Sequence, residues 1–177
     1  MVVFDSSVLL LVLDPNAKPP IDPATGQHLD KAAARIEYLI ETLTADKEQI
    51  VVPTPVVSEV LVHAGDAMQP YLDIMNGQSA FRIAPFDQKA AIEAALSMSD
   101  AIGRGGHRVD AAHPDATKTK IKFDRQIVAI ARAEGAHAVY ADDAHIHHYA
   151  KQAELDAYKT ADLELPPEDP QGALAFD

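Results

Sequence analysis

The stretch "FDRQIVAIARAEGAHAVYADD", residues 123–143, decides the fold. Phe123, Ile127, Ile130 and Ala131 recur at helical spacing, which predicts a helix with one apolar face. Gly135 closes it, because helices commonly end on a left-handed residue that glycine adopts without steric cost. "AHAVYADD" (136–143) then reads as a buried strand running out into two carboxylates. A helix feeding a short apolar strand is half of a βαβ unit, so the segment predicts an α/β protein with a parallel sheet.

Outward from it the alternation continues. "VVFDSSVLL" (2–10) is a short buried strand, with Asp5 where it should end, followed by a turn or two of apolar helix. "QIVVP" (49–53) is a second strand; Thr54 reads as an N-cap and Pro55 as the first helical residue after it. "FRIAPF" (81–86) is a third, and Asp87 caps the helix from Gln88 onward. Ala33, Ile36, Leu39, Ile40 and Leu43 mark an amphipathic helix before the second strand, another helix covers about 66–75, and "AHIHHYAKQ" follows the last strand. Residues 14–27 and 104–117 are loops by their Pro, Asp and Gly content. The reading is an α/β/α sandwich of three layers around a parallel sheet of four or five strands. One domain spans 1–160, and 161–177 form an acidic, Pro-rich tail.

Composition narrows the class. The chain has 177 residues, 47% of them hydrophobic, enough for a core of its own. The absence of cysteine removes disulfides, thiolate metal sites and cysteine nucleophiles. No signal peptide is evident, and the longest apolar run, "VLLLVL" at 8–13, is too short to span a membrane, so a cytoplasmic, soluble protein is the plain expectation. A net charge of −12 argues against indiscriminate nucleic-acid binding. Its distribution is uneven, however. Arg104, Arg108, Lys118, Lys120, Lys122 and Arg125 face only Asp110, Asp115 and Asp124 in the same segment, a basic strip on an acidic body and a candidate grip for phosphates. A solvated loop whose charge carries no function is an equal alternative.

In a parallel sheet all strands end on one side, and ligands bind in the crevice outside those ends. Asp5 follows the first strand; Asp142 and Asp143 follow the last. Glu59 lies in the opening turns of the helix after the second strand, and Asp124 near the start of the helix leading into the fourth. Four separated segments thus deliver carboxylates to one edge. Carboxylates sharing a site raise one another's pKa, so the cluster calls for a cation, and hard oxygen donors select Mg2+ or Mn2+. Singly, Asp5 and Asp124 read as caps or surface charges, Glu59 as an exposed helix residue, and Asp142 and Asp143 as caps of the next helix. The joint arrangement points to phosphodiester chemistry at a metal.

These residues resemble a known family. "VVFDSSVLL", "VVPTPVVSEVL" and "KFDRQIVAIARAEGAHAVYADDAHI" look like the successive blocks of PIN-domain ribonucleases, in the same order and across most of residues 1–150. The resemblance is closest to the VapC-type toxin of a toxin–antitoxin pair. It implies a PIN-like sandwich and a metal-dependent endoribonuclease that hydrolyses RNA to a 3′-hydroxyl and a 5′-phosphate. It matches Asp5, Glu59, Asp124 and Asp143 to the four acids that hold the metal, with Asp142 beside them and Ser6 or Ser7 as the small polar residue next to the first acid. It also implies an antitoxin partner that fills the acidic groove with an Arg or Lys, and a homodimer formed through helices. Two positions depart from the pattern: Ala141 replaces the hydroxyl residue that usually opens the last block, and His145 stands where that block often carries another acid. The loops at 14–30 and 103–119 are longer than in a minimal member.

Three rivals compete. His145 and His148, at i and i+3, could bind a transition metal, although a surface helix is the blander account. A phosphatase with an aspartyl nucleophile would want a second Asp where Ser7 stands. A PIN-like RNA- or protein-binding module with weak or no catalysis differs in class, and the intact set of acids argues against it.

Overall fold

β1 (Val2–Phe4), β2 (Ile50–Pro53) and β4 (Ala138–Tyr140) are apolar along their length, and every residue in them is buried. Runs without alternation suit strands covered on both faces, as in parallel sheets. The computed structural model describes residues 1–103 and 117–167, the side chains of 100–103 excepted. In it these strands form the centre of a five-stranded sheet of order β3-β2-β1-β4-β5, with β3 (Phe81–Ala84) and β5 (Asp156–Tyr158) at the edges. All four pairings are parallel, with Val2 opposite Ile50 on one side and Ala138 on the other. The expected α/β class and parallel sheet are borne out.

Parallel neighbours need crossovers, and the helices supply them. α1 (Ser6–Leu13) and α2 (Ala32–Ala45) link β1 to β2; α3 (Thr54–Ala64) and α4 (Met68–Gly77) link β2 to β3. α5 (Gln88–Gly103) and α6 (Lys118–Glu134) lead to β4, and α7 (Ala144–Gln152) to β5. Right-handed crossovers put the first four helices on one face and the last three on the other, because the chain moves outward from β1 in opposite directions. Contacts of α1 with α2 and α3, and of α6 with α5 and α7, agree. The main core cluster includes the fully buried Phe4, Leu9, Ile36, Ile50, Met75, Ile130 and Ile146, and a smaller one joins Ile121, Val128 and Tyr149 between α6 and α7.

Gly135 ends α6 at φ 73°, in the left-handed conformation expected of it, and Asp87 Oδ1 accepts from Ala90 N at 2.9 Å as the cap of α5. Thr54 departs from its expected role. It is already helical, and its hydroxyl accepts from Phe86 N at 3.2 Å, tying the exit of β3 to the start of α3. Leu163, at the start of the expected tail, is buried, and Arg35 donates to its carbonyl. Among the described residues no helix is long and apolar enough to cross a membrane.

Candidate active site

The strand order reverses direction between β1 and β4, and a crevice opens at such a switch point outside the carboxyl ends. Asp5 and Asp143 are the residues the two strands deliver there. The amino-terminal turns of α3 and α6 meet over the same edge, where Glu59, Lys120 and Asp124 line one groove.

Asp5 is 5% exposed. Burial pushes its carboxyl up to about 6, and the charges of Glu59 and Asp143 push the same way, against the Ser6 N–H and the Ser7 hydroxyl, which hold it down. Ser7 Oγ donates to Asp5 Oδ2 at 3.1 Å and accepts from Asp142 N at 3.1 Å, so one hydroxyl joins the exits of β1 and β4. Asp5, which the sequence leaves to a cation rather than a side chain, thus has a side-chain partner in Ser7. Ser6 is buried and its part is its backbone N–H.

Asp124, Asp143 and His145 form the tight group, their ligand atoms all within 4.8 Å of one another. Asp143 caps α7, accepting from His145 N at 2.8 Å. That turn swings the His145 ring to 3.4 Å from Asp124 Oδ2. Lys120, one turn before Asp124, donates to Asp143 and lies 3.9 Å from Asp124. Burial alone would raise Asp143, yet the bond and charge of Lys120, the His145 N–H and the His145 charge outweigh it and hold the carboxyl below its ordinary range. Lys120 is the mirror image: burial pulls it down, but the bond to Asp143 and the charges of Asp124, Asp143 and Asp5 hold it up.

The other expected residues lie in different surroundings. Asp142 does not join the group; its two oxygens accept from Thr160 N at 2.9 Å and Thr160 Oγ1 at 2.7 Å, pinning the short 3₁₀ turn Thr160–Asp162 beneath the edge. Lys120 serves the carboxylates rather than standing free for phosphates. Arg125 lies over the Tyr149 ring at 4.7 Å, on the side of α6 that faces α5 and α7. Lys118 and Lys122 are exposed, whereas Arg104 and Arg108 lie outside the described residues. Glu59 is exposed, near enough to raise Asp5 but outside the tight group. Of the two histidines at i and i+3, His148 meets Gln152 at 2.9 Å and the His145 ring lies 3.4 Å from Asp124. His147, between the two histidines of the rival metal reading, has a bond that the sequence did not suggest. Its Nε2 bonds the Ala141 carbonyl at 2.6 Å, so the strand exit that lacks a hydroxyl at 141 is held by Ser7 and His147 instead.

The donor set fits a hard divalent ion. Asp124 and Asp143 offer oxygens and His145 a nitrogen, with Asp5 within electrostatic reach, and the ammonium of Lys120 already marks the place as one that takes a cation.

The chain has a PIN-like α/β fold with carboxylates gathered at its switch point. No family model and no curated protein matches the sequence. Among solved structures, that of FitAB bound to an IR36 DNA fragment matches at TM-score 0.60 and 17% identity, covering 93% of this chain and 98% of that one. VapBC2 from Rickettsia felis, bound to a DNA fragment from its promoter, matches at TM-score 0.57 and 14% identity, over 90% of this chain and 98% of that one. FitAcB from Neisseria gonorrhoeae matches at TM-score 0.54 and 18% identity, over 90% and 98%.

Proposed function

We propose that this chain is a divalent-metal-dependent endoribonuclease and the toxin of a type II toxin–antitoxin pair. The observation that carries the reading is the approach of Asp5, Asp124 and Asp143, from three distant segments, over the switch point of a PIN-like sheet, with Glu59 beside them. The likeness in fold to the VapBC and FitAB complexes supports it.

Asp124, Asp143 and His145, with Asp5 within electrostatic reach, would hold Mg2+ or Mn2+. The bound ion supplies Lewis-acid stabilisation of charge on the phosphate being hydrolysed. Ser7 fixes the orientation of Asp5, and Asp143 is fixed by its capping bond to α7. Lys118 and Lys122, both exposed, would grip flanking phosphates, contacts that position a nucleic acid without reading its sequence. The ammonium already seated between Asp143 and Asp124 indicates how a small partner protein would silence the centre, by inserting an Arg or Lys there.

The test is cleavage of RNA by the purified chain with Mg2+ or Mn2+ against EDTA, beside Asp143→Asn. Metal-dependent cleavage lost in the variant is expected, together with growth arrest on expression that Asp5→Asn abolishes. Arrest of equal strength from the Asp5→Asn chain would sink the catalytic reading. Lys120 favours one alternative, since a centre already neutralised in cis suits a PIN-like binding module with little or no catalysis. That module would bind RNA or a partner equally well in EDTA and cleave nothing.

A further inference from the structure

Phe123 falls on the apolar stripe of α6 in the sequence, yet its side chain is 42% exposed. Of the exposed aromatics among the described residues, Tyr158 stacks on Tyr140 with ring centroids 5.3 Å apart, whereas Phe123 has no ring contact among those residues. It lines a groove of about 450 Å³ shared with Lys120 and Asp124 of the acid centre, and with Pro55, Val62 and His63 of α3. Val62 is 80% exposed, so the apolar floor is open to solvent.

Each residue turns a helix by about 100°, so the start of α6 carries three neighbouring stripes. Lys118 and Lys122 form the first, Thr119 and Phe123 the second, Lys120 and Asp124 the third. An aromatic ring thus lies between exposed cations and the carboxylate centre. We propose that Phe123 is a stacking platform for an unpaired base of RNA, beside the bond to be cut; the inference rests on the ribonuclease reading and names its substrate as single-stranded at that point. The order of stripes matches what a strand offers: phosphates for the lysines, a π-face for the ring, and a phosphodiester for the acids. Ser58, Thr117 and Thr119 around the ring supply polar contacts to base edges. An apolar partner helix fits less well, since it would need anchors repeated over two or more turns, and here the apolar floor is Pro55, Val62 and Phe123.

The chain contains no tryptophan, so Phe123→Trp installs a single reporter. It is titrated, in an Asp5→Asn background that prevents cleavage, with a single-stranded oligoribonucleotide and with its duplex. Anisotropy of the labelled strand is followed in parallel for Phe123, Phe123→Trp and Phe123→Leu. The expected result is saturable quenching by the single strand and not by the duplex, binding retained in Phe123→Trp, and binding weakened about tenfold in Phe123→Leu. Binding without quenching, equal quenching by the duplex, or unchanged binding in Phe123→Leu overturns the platform and leaves the ribonuclease reading standing. A strand that neither binds nor is cut by the unmutated chain overturns both. Protection of the tryptophan from acrylamide by the product of the adjacent gene, with none by RNA, reassigns the groove to a protein and overturns the platform.

Discussion

Lys120 and Asp143 form an ion pair that joins α6 to the cap of α7, and the same ammonium lies 3.9 Å from Asp124. The pair does for the metal-free protein what a divalent ion would do, offsetting the repulsion of neighbouring carboxylates. At 43% exposure of the lysine side chain the pair itself contributes at most about 1 kcal/mol. Its larger effect is competition. Lys120→Met is expected to melt lower than the unmutated chain in EDTA and to bind Mg2+ or Mn2+ several-fold more tightly by calorimetry. Equal metal affinity in the two proteins would show that Lys120 does not occupy the cation's place.

Asp5 makes the metal-free protein sensitive to pH. Its folded value of about 6 lies above the unfolded 3.8, so the native state holds an extra proton between those values. The stability from that proton is fully present below about pH 4 and lost as the pH rises through 6. A shift of about two units corresponds to about 3 kcal/mol. Urea denaturation in EDTA is therefore expected to show Asp5→Asn more stable than the unmutated chain at pH 8, with the difference shrinking toward pH 4. A constant difference across that range would contradict the assignment.

Asp142 and Asp143 are neighbours with different work. Asp142→Asn is expected to lose about 1–2 kcal/mol of stability, because the bonds from Thr160 are weakened, while metal affinity stays within a few-fold. Asp143→Asn is expected to lose metal affinity by tenfold or more. Thr160→Val, which removes the donor hydroxyl, should reproduce the stability loss of Asp142→Asn. A metal defect in Asp142→Asn as deep as in Asp143→Asn would return Asp142 to the centre.

His145 brings a nitrogen to an otherwise oxygen set, and imidazole suits transition metals better than it suits magnesium. His145→Asp is expected to lower the ratio of Mn2+ to Mg2+ affinity, measured by calorimetry on the metal-free protein. An unchanged ratio would place the His145 ring outside the coordination shell.

The central strands were legible because three or four unbroken apolar residues leave a short buried strand as the only economical reading, and the acids at their ends follow from sheet geometry. Other features depended on distance or on neighbours. Nothing local separates Asp142 from Asp143; the difference comes from Thr160, eighteen residues on. β5 carries an exposed, half-buried, exposed pattern over three residues, too little to announce a strand. Phe123 keeps the helical period of Ile127 and Ile130 but sits in the turns of α6 that carry the open groove over the sheet edge, so periodicity assigned it to a core that is not there. The lysine before it and the aspartate after it were the available hint.

β1 lies at the middle of the sheet, yet one of its partners is β4, where Val2 meets Ala138. A ribosome that has released the first hundred residues has made Asp5 but not Asp143, and β1 has only one side closed. At roughly 5–20 residues per second, making the stretch from there to Tyr140 takes about 2–8 s, and only then can the second side close. The nascent chain therefore carries no assembled centre for most of its synthesis, because the carboxylates of Asp5 and Asp143 can meet only after β4 has been made.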